Sequence, residues 1–197
     1  MQSARYKTLV ATPWKNGGGV TREAIRVPPA ADPFGWRVSF AQIERSGPFS
    51  DFSGYARHMV LLRGAGVRLD FAGGAQRELL EVGDYAQFDG AVATHGALLQ
   101  GSCIDLNLIV SKASHTARAG IEAVRGKVEW PASQGQSVLV VAIESSVVVE
   151  DERGESANLA VWDLAAGNLR SVTANSPCRV FVARIVDNRT TNLERGI

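Results

Sequence analysis

Cysteine is almost absent from this 197-residue chain. Cys103 and Cys178 are its only two, and each stands alone in its segment. No C-x-x-C pair, disulfide framework or zinc knuckle can be written from them. Reduced thiols in a cytoplasmic protein are the expectation. Histidine is nearly as scarce: His58, His95 and His115 complete the set. No two stand at i and i+2, the spacing at which one strand would offer adjacent imidazoles to a metal. Net charge is missing too, since 21 Lys and Arg against 20 Asp and Glu leave +1. That balance argues against nucleic-acid and anionic-membrane partners. No run approaches the ~18 apolar residues of a membrane helix, and Met1 to Lys7 carry no apolar stretch of the signal-peptide kind. Nucleophile motifs are also lacking: there is no G-x-S-x-G and no recognisable Ser-His-Asp order. A phosphate loop fails because Lys15 precedes its glycines instead of following them.

Glycine, by contrast, is plentiful at 20, and most glycines lie between short runs of Val, Ile, Leu and Phe. This is the punctuation of an all-β protein. Strand-like runs occur at Val20 to Val27, Trp36 to Ile43, His58 to Arg63, Val67 to Phe71, Ile104 to Val110, Val138 to Ile143, Val147 to Glu150, Leu159 to Leu164 and Arg179 to Val186. Only Ser111 to Arg125 has any helical character, and it reads equally as a connector. Either way it divides the chain into two strand-rich parts, 1–112 and 113–197, expected to pack as one unit. The parts echo each other. Leu80-Glu81-Val82-Gly83-Asp84 and Leu164-Ala165-Ala166-Gly167-Asn168 are both L-x-x-G-[D/N] turns, with glycines at 83 and 167, an offset of 84 that favours duplication of one small barrel. The order of hairpin, glycine turn and returning strand resembles the cupin β-barrel, without the H-x-H pair of metal-binding cupins.

The most informative segment is Pro13-Trp14-Lys15-Asn16-Gly17-Gly18-Gly19-Val20-Thr21-Arg22-Glu23. Three consecutive glycines persist in a packed fold mainly where something passes close to the backbone or φ must be positive. The alternating run Trp36 to Ile43 follows, then the aromatic loop Gly47-Pro48-Phe49-Ser50-Asp51-Phe52-Ser53-Gly54-Tyr55-Ala56-Arg57. These runs, W-K-N-G-G-G-x-T-x-E, W-R-x-S-x-A-x-I and G-P-F-S-x-F-x-G-x-x-R, together with the D-x-N of Asp105 and Asn107, resemble the HutD family and its Ves relatives. The motifs cover about residues 13 to 110. One departure is Ser53, where the family loop carries a proline. The resemblance implies an all-β bicupin, two cupin-like barrels of the RmlC-like jelly-roll type. It also implies a role in bacterial histidine utilisation, binding a small acidic metabolite such as formylglutamate or urocanate. It brings no established enzymatic activity.

Alternation places Arg37, Ser39, Ala41 and Ile43 on one strand face. Arg37 there is either a carboxylate-binding fork inside a barrel or a solvent-facing cation. Arg57 is in phase with Tyr55, Met59 and Leu61, a largely apolar set. Asp105 and Asn107 share one face of their strand, either as structural partners of the arginines or as ligand contacts. Trp14, Lys15 and Asn16 supply an aromatic wall, a cation and an amide. The candidate ligand-binding set is therefore Trp14, Lys15, Asn16, Arg37, Ser39, Arg57, Asp105 and Asn107, with no catalytic residue, metal or cofactor. A ligand-binding or regulatory protein is expected before an enzyme, with self-association as a homodimer left open. The alternatives are a metal-independent cupin isomerase or hydrolase with His95 or His58 as base, or a protein-interaction module.

Overall fold

A computed structural model describes residues 1–131 and 135–189. Its strands are β1 (Gln2–Ala4), β2 (Thr12–Pro13), β3 (Gly19–Val27), β4 (Trp36–Ile43), β5 (Gly47–Pro48), β6 (Tyr55–Arg63), β7 (Val67–Phe71), β8 (Gln76–Leu79), β9 (Tyr85–Asp89), β10 (Thr94–Leu98) and β11 (Cys103–Ser111). They continue as β12 (His115–Glu129), β13 (Gln136–Ala142), β14 (Val147–Asp151), β15 (Ser156–Leu159), β16 (Leu164–Gly167) and β17 (Leu169–Asp187). Helix among the described residues amounts to a 3-10 turn at Tyr6–Thr8 and the two residues Asn188 and Arg189. The protein is all-β.

Contacts divide the chain into two units. One is Leu9–Ala113, and the other joins Met1–Thr8 to the described residues from Ser114 on. The first holds a six-stranded sheet in the order β2-β3-β4-β11-β6-β9 and a four-stranded sheet in the order β5-β10-β7-β8. β11 lies at the centre, paired antiparallel with β4 and β6. Every residue from Cys103 to Val110 is buried, which explains its near-continuous apolar composition. Ile43, Met59, Leu61, Val67, Leu69, Leu79, Ala86 and Cys103 fill part of the interior. Each large aliphatic chain sealed there contributes ~1.5–3 kcal/mol.

The second unit is one seven-stranded sheet in the order β1-β16-β13-β17-β14-β15, with β12 also paired to β17. Its interior is closed by Val124, Trp130, Val138, Val140, Val149, Leu159, Ala165, Leu169, Val172, Val180 and their neighbours.

Four expectations change. Ser111 to Arg125 is not helical: β12 runs antiparallel to β17 from His115↔Asp187 to Glu129↔Ser171. Residues 1–8 leave the N-terminal part, because β1 adds to β16 at the edge of the second unit's sheet (Ser3↔Ala165). The run Leu159 to Leu164 is strand only at its two ends; 160–163 form the turn between β15 and β16, with Asp163 accepting the Ala160 amide at Oδ2, 3.2 Å, while the Asp163 amide donates to the Ala160 carbonyl, 2.9 Å. The duplication is also offset differently. The hairpins β7–β8 and β14–β15 pair Val67↔Leu79 and Val147↔Leu159, equivalent positions 80 residues apart.

The partner of Gly83 is thus not Gly167. Gly83 donates its amide to the Leu61 carbonyl, just as Trp162 donates to the Ala142 carbonyl. Both have left-handed backbones, φ 89° and 70°. In the second unit a tryptophan takes the glycine's conformation, with its ring edge-on to Tyr6 at 4.9 Å. Stacking of that order offsets the ~1–2 kcal/mol of a left-handed non-glycine residue.

Candidate functional site

The Leu9–Ala113 unit encloses a cavity of about 700 Å³. Strand register sets its floor in three rungs. Arg57, Ile109 and Arg37 lie side by side on β6, β11 and β4, followed by Met59, Asn107 and Ser39, then Leu61, Asp105 and Ala41. β3 extends the last two rungs with Glu23 opposite Ser39 and Thr21 opposite Ala41. Because side chains alternate along each strand, one face of β4 and one of β11 supply these groups. The β2–β3 connection and the loop after β5 form the walls with Trp14, Lys15, Asn16, Pro48, Phe49 and Phe52.

Every residue of the candidate set lines this one cavity. Arg57, Asp105, Asn107 and Ser39 are buried, Trp14 is half-buried, and Lys15 and Asn16 are exposed at the rim. The glycines answer to the protein's own backbone. Gly17 turns the chain at φ 67°, and a Cβ on Gly19 would meet the Gln42 carbonyl of β4. The Asn16 side-chain oxygen is committed to this hairpin, accepting the Gly18 amide at 2.9 Å. Trp14 is fixed by its indole N–H, which donates to Thr21 Oγ1 at 2.7 Å.

Electrostatics distinguish the floor. Arg57 Nη2 donates to Asn107 Oδ1 at 2.7 Å, and Asn107 Nδ2 donates in turn to Asp105 Oδ1. The amide orientation is thereby dictated by a cation on one side and a carboxylate on the other. Arg57 is ringed by Phe49, Phe52 and Phe88, 5.1, 5.4 and 5.0 Å from its guanidinium carbon. Burial lowers its pKa to about 10, with the Asp105 charge opposing and the Arg37 charge adding to the effect. Arg37 sits over Phe34 and Phe52 at 5.2 and 5.3 Å and reaches Glu23 only loosely, at 3.7 Å. Burial lowers its pKa as well. Glu23 is held more tightly by Arg26, at 2.6 Å. Asp105 is fully buried, which raises its pKa to about 7 although Arg57 and the Asn107 hydrogen bond pull it down. Among the described residues, three buried side-chain polar atoms have no hydrogen-bond partner: Arg37 Nε, Arg57 Nε and Asp105 Oδ2.

The aromatic clamp of Phe49 and Phe52, and Glu23 on β3, were not picked out as site residues from sequence. Phe49 and Phe52 stand in the loop motif and Glu23 ends the glycine motif, so the signal was there but carried no chemistry by itself. The histidines lie elsewhere. His58 shares β6 with Arg57 but alternation turns it to the opposite face, where its Nδ1 is 2.7 Å from the Tyr85 hydroxyl. Burial lowers its pKa to about 4. His95 is exposed on β10, and neither lines the cavity. Among the described residues no three His, Cys, Asp or Glu side chains gather as metal ligands. Two guanidiniums, an amide and a hydroxyl do not suit the metal of His-rich cupins.

The HutD family model matches residues 6–180. The chain belongs to the HutD family. An uncharacterized 21.2 kDa protein of the hutC 3′ region in Pseudomonas putida is 37% identical over 164 residues, covering 83% of this chain and 84% of the relative. The solved structure of HutD from Pseudomonas fluorescens SBW25 is 34% identical with a TM-score of 0.80, over 95% of this chain and 98% of that one. Oxalate decarboxylase from Lactobacillus farciminis, 9% identical, superposes with a TM-score of 0.68 over 95% of this chain and 86% of that one, a likeness of fold alone. The family is associated with the histidine-utilisation locus and has a cupin-like β fold. Among the described residues no helix is long and apolar enough to cross a membrane.

Proposed function

We propose that this HutD-family chain binds a small carboxylic acid of histidine breakdown, of the formylglutamate or urocanate type, and restrains pathway output through that binding. The observation that carries the reading is the convergence of Arg37 and Arg57 on one aromatic-walled cavity, each with an Nε lacking a partner. The volume of about 700 Å³ falls in the usual range for small-molecule sites. The guanidiniums take the carboxylate, Ser39 and Asn107 meet the remaining polar groups, and Trp14 and Phe49 pack on the apolar part. Lys15 at the mouth draws anions toward the site. With a whole-chain charge of +1, anion preference is local to these side chains.

Isothermal titration with formylglutamate, urocanate, histidine and glutamate tests the reading. Binding of at least one acid is expected, weakened by roughly 2–3 kcal/mol, about 30- to 150-fold, in Arg57→Met. No heat with any of the four at millimolar concentration would overturn it. A catalytic reading is favoured by one observation, the near-neutral pKa of Asp105 in the cavity, which suits a general acid or base. It replaces His95 and His58 in that role, and turnover of a bound acid, lost in Asp105→Asn with binding retained, would establish it.

A further inference from the structure

Asp105 is a costly residue to place under two arginines that await an anion. If its only task were to neutralise Arg57, a direct ion pair would serve, yet no Arg57–Asp105 pair forms and Asn107 is interposed between them. The ligand carboxylate and Asp105 thus draw on the same cation. Arg57 is the charge that favours ionised Asp105, against the cost of full burial. When an anion neutralises Arg57, that support is lost, and two negative charges in one cavity repel.

Resting on the carboxylate reading above, we propose that the cavity takes up an organic acid together with a proton, the carboxylate going to Arg57 and Arg37 and the proton to Asp105. The proton comes from solvent, no covalent bond is made, and the acid enters as a neutral pair of anion and H⁺. Asp105 Oδ2, the oxygen without a partner, receives the proton. Oδ1 keeps its hydrogen bond from Asn107 Nδ2 in both states, so the exchange needs no rearrangement of the floor.

The surrounding groups leave no rival for the proton. β4 presents Ser39 and Ala41, and β6 presents Met59, Leu61 and Arg57. β3 presents Thr21 and Glu23, the latter with its pKa lowered chiefly by its hydrogen bond from Arg26. Cys103, two residues along β11, has a thiol pushed by burial up to about 12 and stays neutral. Lys15 lies at the solvent-exposed rim. The ligand class that follows is a single carboxylate on a small apolar or aromatic body. A second carboxylate would have to lie outward, toward Lys15.

The test uses the full chain with sodium benzoate and sodium acetate, whose charge is constant from pH 6.5 to 9. Titration calorimetry at pH 8 in triethanolamine and in Tris, cationic buffers of different ionisation heat that do not compete for the arginines, should show uptake of nearly one proton per anion bound. Affinity should fall about tenfold per pH unit above the Asp105 titration. Asp105→Asn, checked for fold by circular dichroism, should bind without proton uptake and with a flat pH profile. Binding by the wild type with equal heats in both buffers and a flat profile would overturn the coupling while leaving the carboxylate site standing. Failure of both anions to bind would overturn the single-carboxylate ligand class and the coupling with it, and failure of the four acids above as well would overturn the carboxylate site itself.

Discussion

His58 and Asp105 are buried, 1% and 0% exposed, on opposite faces of neighbouring strands. His58 has a pKa lowered to about 4 by burial. Unfolded, it binds a proton from about pH 6.5 downward, so the stability gained by holding it neutral is present above that pH and lost on acidification toward 4. Asp105 has a pKa raised to about 7, chiefly by burial. Its folded form holds a proton that the unfolded chain releases above about pH 4, so its contribution is greatest near pH 4 and is lost as pH rises through 7. Between pH 5 and 6.5 the two slopes oppose, each about 1.4 kcal/mol per pH unit. Urea unfolding should therefore show His58→Gln gaining stability relative to wild type as the pH is lowered through this window. Asp105→Asn should lose stability over the same window. Parallel profiles for both variants and wild type would show that neither proton is coupled to folding.

Strands and turns explain which parts of the protein could be read from sequence. The run Trp36 to Ile43 coincides with β4, and its period of two correctly placed Arg37, Ser39 and Ala41 on the cavity face. The same arithmetic put Asp105 with Asn107, because the pairing of β11 with both neighbours is unbroken from Asp105 to Val110 and side chains alternate along it. β12 was obscured by Ala, Gly and charged residues in HTARAGIEAVRGKVE, most of them only partly buried or exposed. The identity of β12 comes from pairing with distant β17, which no local pattern reports. The duplicated turn was hidden because Trp162 stands where Gly83 does in the first unit. The glycine hairpin was read as a place of close approach, and β4 itself turns out to be what approaches. Gly19→Ala should therefore disturb the β3–β4 ladder and cost about 1–3 kcal/mol in chemical denaturation, with ligand binding weakened through displacement of Trp14. A variant as stable as wild type would mean that the strands separate freely there.

Over the whole molecule, two units built on the same hairpin pattern have diverged in what they enclose. In the second, Ala165 is completely buried in a cluster with Val138, Val140, Leu159 and Val182, and the described members of that cluster are all apolar. In the first, Ala41 faces a cavity of about 700 Å³ beside Asp105 and Thr21, and polar groups that a core would exclude are retained along its floor. Retaining buried, partly unsatisfied polar atoms costs stability, which is accounted for if a ligand completes their hydrogen bonds. The contrast predicts opposite outcomes for one chemical change. Ala165→Leu overpacks a filled interior and should destabilise by about 1–3 kcal/mol, with carboxylate binding in the other unit unaffected in affinity. Ala41→Leu places its extra atoms in empty space, so stability should stay within about 1 kcal/mol of wild type while benzoate binding is lost. Urea denaturation and titration calorimetry on the two variants decide the matter. Retained binding in Ala41→Leu, or an undisturbed core in Ala165→Leu, would show that the division between hollow and filled unit does not govern function.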